Sequence, residues 1–150
     1  SRLSDMGVEP YVLRSGVLAI VCQRLVRRLC RCARPAANED EQLGLPVSSA
    51  KIPVGCEQCL ESGYRGRSLL VELLLPRGAT IAQAILNGSD ADALEKLAVA
   101  GGMATRWDRA LAAVENGTTS PAEVRRVLGF GDPWRDYRNE GAAPNQGAAP

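Results

Sequence analysis

Two thiol-bearing turns constrain this chain more than any other feature. Cys30 and Cys32 close a basic, leucine-rich run, and Cys56 and Cys59 form a Cys-x-x-Cys turn ahead of Gly63-Tyr-Arg-Gly-Arg67. Between them runs a polar loop broken by prolines, with too few apolar residues to order itself by burial. Four thiolates closing on one zinc ion would supply that missing folding energy. The pattern leaves three readings open: a structural zinc site, reduced cysteines in a loop, or redox use. Redox use needs the Cys-x-x-Cys at a helix N-terminus, where the thiol pKa falls, and Gly55-Cys56 before Gly63 promises no such helix. Cys30-x-Cys32 has a tighter bite than the usual two-residue spacing, so one of that pair is expected to be the poorer ligand. Cys22 is expected to be a core residue on the apolar face of a helix.

Composition narrows the field. The 150 residues suffice for one ordinary domain or two small ones. With 18 basic and 17 acidic residues the net charge is +1, which gives no reason to expect a nucleic-acid binder. It hides a local cluster at Arg24, Arg27, Arg28, Arg31 and Arg34. The bland reading of that cluster is a solvated face; the others are phosphate, an acidic lipid surface or an acidic partner. No aromatics interleave with it to stack nucleobases. Histidine is absent, removing the commonest general base near neutral pH and the commonest metal ligand. No apolar run is long enough to span a bilayer, and the start shows no signal-peptide pattern. The five cysteines therefore favour metal or redox chemistry over a disulfide scaffold, with the cytoplasm as the expected compartment. Ser1-Arg-Leu-Ser enters a helical pattern with no cap or initiator, so a fragment of a longer protein is expected. No G-x-x-x-x-G-K-[ST] or G-x-G-x-x-G occurs, nor a Ser/Cys–His nucleophile. By themselves these residues read as a non-catalytic module.

Periodicity orders the rest. A helix ending at Met6 should be stopped by Gly7, and Glu9-Pro10 should open the next. Leu13, Val17, Ile20, Val21 and Leu25 recur at helical spacing, and from Arg24 to Cys30 the alternation suggests a short strand leaving that helix. Arg34–Gln42 is expected as a loop and Leu43–Val54 as extended and irregular. A hairpin-like turn follows, then an apolar strand Ser68–Leu75 of the kind usually central in a sheet. Glu72 within it either faces outward or at an edge, or pairs as a buried carboxylate with Arg28 or Arg67. Four short helices are expected beyond Thr80. Asn87-Gly88 closes the first, Ser89 or Asp90 caps the second and Gly101-Gly102 stops it. Trp107, Leu111 and Val114 line the third, and Ser120-Pro-Ala-Glu123 forms a capping box for the fourth. Gly141–Pro150 reads as a disordered tail.

Several of these stretches together resemble one family. They are Asp5-Met-Gly-Val-Glu-Pro10, Gln23-Arg-Leu-Val-Arg-Arg-Leu-Cys30, Gly55-Cys-Glu-Gln-Cys59, Gly63-Tyr-Arg-Gly-Arg67, Glu72-Leu, Gly102-Met, Asp108, Gly117-Thr-Thr-Ser120 and Glu123-Val-Arg-Arg-Val127. Their order and spacing are similar to the C-terminal part of the E-type hexameric ATPases of type II secretion and type IV pilus assembly. The likeness runs from Arg2 to about Gly129. It implies an α/β fold: residues 1–76 as the end of a RecA-like P-loop ATPase domain with a cysteine zinc loop at 30–59, a small all-helical C-terminal subdomain over 77–130, and a disordered tail over 131–150. It implies zinc on Cys30, Cys56 and Cys59; the family's usual fourth ligand position falls on Ala33, with Cys32 one residue earlier. Arg24 and Arg28 match an element at the edge of the motor domain, beside the nucleotide region.

The Walker A lysine, Walker B acid and the aspartate and histidine boxes would lie upstream of Ser1. ATP and Mg are thus expected only in the intact parent, a homo-hexamer at the cytoplasmic face of the inner membrane. Its partners would be inner-membrane secretion or pilus platform proteins, with no nucleic acid bound and no direct membrane insertion. The chain alone is expected to turn over no ATP, because phosphoryl transfer needs a phosphate cradle and a magnesium site. Two other readings stand beside this one. One is a zinc-loop protein-interaction module without motor activity, the other a zinc-dependent nucleic-acid-binding module that would bind a short duplex in a salt-dependent way.

Overall fold

The computed structural model describes residues 2–76 and 78–131. The tail expected over 131–150 lies, from residue 132 onward, outside the described residues. Helix α1 (Arg2–Asp5) is followed by Gly7 at φ +84°, the left-handed conformation that ends a helix there. Helix α2 (Pro10–Gly16) begins at the proline, with Glu9 in the N-cap position.

Here the structure departs from the helical spacing. Helix α2 stops at Gly16, and strand β1 runs unbroken over Ile20–Leu29. The expected helix face Leu13–Leu25 is therefore split between two elements, and Cys22 is exposed on the strand instead of buried in a core. Ser15-Gly16 weakens the helix, and β-branched Ile20-Val21 suits an extended backbone whose hydrogen bonds β4 can complete. Strand β4 spans Tyr64–Leu74, beginning earlier than the expected strand, and pairs with β1. Among the described residues β1 is its only neighbour. Leu70 reaches the core while Leu69 and Leu73 stay exposed, so the strand is less enclosed than its composition suggested. Glu72 is half-buried on it.

The described chain divides into two compact units, with the divisions falling inside β1 and β4. One holds residues 2–22 and 72–105. There helix α3 (Ala79–Leu86) packs against α2 and against α4 (Ala91–Ala100), with Ile81, Ala84 and Ala98 buried. Asp90 supplies the cap of α4, its Oδ1 accepting from the Ala93 N–H at 2.8 Å.

The other unit holds residues 23–71 and 106–131 and carries all the cysteines except Cys22. Short strands β2 (Arg34–Pro35) and β3 (Lys51–Ile52) pair antiparallel, with Arg34 opposite Ile52, and give the intervening loop its base. A 3-10 turn over Glu39–Gln42 is capped by Asn38 and pinned by the Arg34–Glu41 ion pair. Helices α5 (Arg106–Glu115) and α6 (Pro121–Leu128) close the unit. Its core joins Val26 and Leu70 of the strands to Leu45, Val47 and Ala50 of the loop and to Trp107, Ala110, Val114 and Val124 of the helices. The helices form where the sequence places them; α3 and α4 fall in one unit and α5 and α6 in the other. Apolar spacing locates a helix; it does not say which core the apolar side meets.

Candidate metal centre

The site is built from the ends of the two long strands. Cys30 leaves β1, and its N–H donates to Gly63 O at 2.9 Å, so the first thiol turn is fastened to the chain just after the second. The Ala33 N–H returns to Cys30 O at 3.0 Å, folding Cys32 back beside Cys30. On the other side, Cys56-Glu-Gln-Cys59 forms a 3-10 turn in which the N–H groups of Cys59 and Glu61 both donate to Cys56 O. Leu60 and Glu61 then take left-handed conformations, φ +51° and +60°, to turn the chain back into β4. Gly63 sits at φ +73°, and a Cβ there would collide with Pro53 Cβ. Gly63→Ala is expected to cost roughly 1–3 kcal/mol by combining backbone strain with that collision. Urea unfolding of the variant beside the parent checks it.

The four sulfurs converge. All four Sγ atoms of Cys30, Cys32, Cys56 and Cys59 lie within 4.8 Å of one another. Cys30 to Cys56 is 3.8 Å, Cys32 to Cys59 is 3.9 Å, and Cys56 to Cys59 is 3.7 Å. Zinc–sulfur bonds of about 2.3 Å in a tetrahedron give sulfur–sulfur edges of about 3.8 Å. Three of the six edges thus match a zinc tetrathiolate and the rest are no longer than 4.8 Å, whereas a disulfide would need about 2.0 Å. Cys32 joins the cluster despite its one-residue spacing from Cys30, because the turn at Ala33 swings its sulfur toward Cys59. Ala33 itself has no ligating atom.

Backbone N–H groups favour the charged form at one of the sulfurs, Cys59. Burial pushes the Cys56 thiol up to about 11; the Cys59 and Cys32 thiols add to the rise, and backbone hydrogen bonds from Cys59 and Gln58 offset it only in part. The same burial acts on Cys59 but is outweighed there by the N–H groups of Gly63 at 3.3 Å and Cys56 at 3.2 Å, with help from the Cys56 and Cys32 thiols. The Cys59 thiol is brought down to about 7. The donor set is four sulfurs with no oxygen or nitrogen among them, which suits zinc and fills a tetrahedron, leaving no position for substrate.

A second constellation ties strands β1 and β4 to α6 and the turn before it, and its role was not read from the sequence. Half of the expected capping box forms: the Ser120 hydroxyl accepts from the Glu123 N–H at 3.2 Å. The Glu123 carboxylate goes elsewhere. Fully buried, it accepts from the Arg27 N–H at 2.9 Å and from the guanidinium groups of Arg27 and Arg126 at 2.6–2.8 Å. Burial would raise this carboxyl, but those donors outweigh it and hold it at about 2. Arg27 also stacks over the Tyr64 ring at 4.1 Å, and the Tyr64 hydroxyl meets Ser120 Oγ at 2.6 Å. The Leu29 N–H donates to Thr118 O, and Thr119 Oγ1 donates to Arg27 O. Part of the arginine run is therefore structural. The available signal was Arg27 and Arg126 sharing one chain with a capping-box glutamate, but only the fold says that they meet.

Arg24 and Arg28 are both exposed on β1, outside the sulfur cluster. Arg24 Nη1 donates to Gln23 O at 3.0 Å, and Arg28 borders an open recess beside Cys30. Among the described residues no helix is long and apolar enough to cross a membrane.

An α/β unit closed by a tetrathiol knuckle is a class of architecture that the comparisons narrow to a family. Residues 1–126 match the family described as Type II/IV secretion system protein. The chain is 41% identical over 135 residues to the type II secretion system protein E of Aeromonas hydrophila, covering 85% of this chain and 26% of that one. It is 40% identical over 134 residues to the type II secretion system ATPase E of Vibrio cholerae, with the same coverage of 85% and 26%. It is also 35% identical over 134 residues to the type IV pilus assembly ATPase PilB of Myxococcus xanthus, covering 83% and 24%. The chain belongs to this secretion and pilus-assembly ATPase family, and it spans about a quarter of the length of the curated relatives it matches.

Proposed function

We propose that this chain is the C-terminal portion of an ATPase that powers type II pseudopilus or type IV pilus assembly. In this reading Cys30, Cys32, Cys56 and Cys59 hold one structural zinc ion. The observation that carries it is the convergence of four sulfurs at tetrathiolate spacing in a chain of this family. A bound zinc would fix the two cysteine turns to each other, and through β1 and β4 it would stiffen the end of a RecA-like P-loop domain. Nucleotide and magnesium would be handled by residues of the intact parent, a homo-hexamer at the cytoplasmic face of the inner membrane working with platform proteins there. Arg24 and Arg28 would mark the edge of the motor domain.

The matching segment of the Vibrio cholerae type II secretion ATPase E, replaced by this chain, gives the test. The chimera should hydrolyse Mg-ATP within about tenfold of the parent rate, a loss of about 1.4 kcal/mol in the barrier. The isolated chain should show no turnover above buffer. A chimera that holds zinc and assembles yet never turns over ATP overturns the reading, as does metal-dependent turnover by the isolated chain.

A further inference from the structure

Three arginines surround one recess beside the cysteine knuckle, and the reading above gives only Arg28 a place, at the edge of the motor domain. Arg28, Arg31 and Arg65, with Gln58, line an open depression of about 700 Å³ whose floor includes Leu29 and Cys30. All three are exposed. Among the described residues none of them pairs with a carboxylate, whereas their neighbours Arg27, Arg34 and Arg126 all do. Like charges without a carboxylate partner around a concavity focus a positive field there and draw in an anion from outside. Arginine is the cation suited to that task, because its planar fork holds a carboxylate through two parallel hydrogen bonds.

A second feature of the same knuckle points to a protein as the source of the anion. Leu60, two residues after Gln58, is 88% exposed at φ +51°. A leucine held in a left-handed conformation and turned to solvent adds nothing to the core, but it can serve as an apolar contact beside a charged recess. Arginines framing an apolar anchor are typical of protein interfaces. A concave recess admits a side chain or turn of a peptide, while a bilayer presents its phosphates in a plane.

We propose that the Arg28–Arg31–Arg65 recess and Leu60 form a docking site for an acidic segment of a partner protein, one that carries paired carboxylates next to an aliphatic residue. The site adjoins the sulfur cluster at Cys30 but uses side chains that supply none of its sulfurs. Its occupation would join the partner to the strand ends that the cysteine cluster fixes.

The test uses the full zinc-loaded chain and a fluorescein-labelled peptide of alternating glutamate and leucine, with a glutamine-for-glutamate peptide as the neutral control. Fluorescence anisotropy should show the acidic peptide binding and the neutral one not. The double substitution Arg28→Glu, Arg65→Glu should weaken binding at least about tenfold and flatten its salt dependence. Leu60→Ser should weaken it about threefold without changing the salt slope. Zinc content and melting temperature, measured on the same samples, should match the parent, because these side chains are exposed. If the zinc-loaded chain fails to bind the peptide, or binds it regardless of the arginines, the proposal falls while the metal reading stands. It falls equally if phosphatidylglycerol vesicles are captured through these arginines in place of the peptide. Arginine-dependent self-association in sedimentation would also overturn it, by making a second copy the occupant.

Discussion

Cys59→Ser is expected to empty the metal centre and loosen the whole cysteine loop. Cys59 Sγ lies 3.7 Å from Cys56 Sγ and 3.9 Å from Cys32 Sγ, and it accepts from two backbone N–H groups. A serine hydroxyl is shorter, harder and protonated at neutral pH, so it replaces neither the zinc bond nor the charge those N–H groups favour. Structural zinc contributes about 10–16 kcal/mol of binding free energy in small zinc modules. Here part of the loop is also held by the Cys30–Gly63 backbone bond and by Leu45, Val47 and Ala50 in the core. The expected result is a zinc content falling from about one per chain to below about a tenth, and a melting temperature lower by about 10 °C or more. Chelated parent protein should resemble the variant. Cys22→Ser should change neither quantity, because Cys22 is exposed on β1 and outside the cluster. Elemental analysis with circular-dichroism melts measures both.

The second large effect is at Glu123. Glu123→Ala removes the acceptor of four hydrogen bonds and a further close ion-pair contact, and leaves the Arg27 N–H facing a void. The arginine side chains are 44% and 57% exposed and can rehydrate, so the expected loss is about 2–4 kcal/mol, short of a fully buried pair. Glu123→Gln keeps the shape and one acceptor and should lose less. The pH dependence has a definite sign. Folding lowers this carboxyl from its ordinary 4.5 to about 2, so its stabilisation is complete above about pH 4.5 and lost as the pH falls through about 2. The contribution at neutral pH is about 3 kcal/mol. Urea midpoints for parent and Glu123→Gln should therefore stand apart at pH 7 and converge toward pH 2. A gap that stays constant across that range would show that the carboxylate charge is not what the arginines hold.

The sulfur cluster was legible because its information is local and chemical. Cys-x-x-Cys with a glycine after it specifies a knuckle whatever the rest of the chain does, and four thiols without histidine leave few alternatives. The one-residue spacing of Cys30 and Cys32 did not show that both sulfurs would reach the cluster. Ligand spacing along the chain says little once a turn such as that at Ala33 redirects the side chain. The helices beyond Thr80 were legible from caps and stops, with Asp90 and Ser120 acting as expected. What escaped was long-range. Residues 17–25 carry apolar residues compatible with helix or strand, and pairing with β4 decided for the strand. Glu123 satisfied a local capping pattern, yet the guanidinium of Arg27, far away in sequence, offered its buried carboxylate a better partner than the nearby backbone. The division of the helices between two units is illegible for the same reason, since an amphipathic face records only that something covers it.

Zinc K-edge X-ray absorption on the chain purified without added metal tests the central claim most directly. The account predicts one zinc per chain with a first shell of four sulfurs at about 2.3 Å. A shell containing nitrogen or oxygen, or protein that folds with no zinc at any stoichiometry, would contradict it.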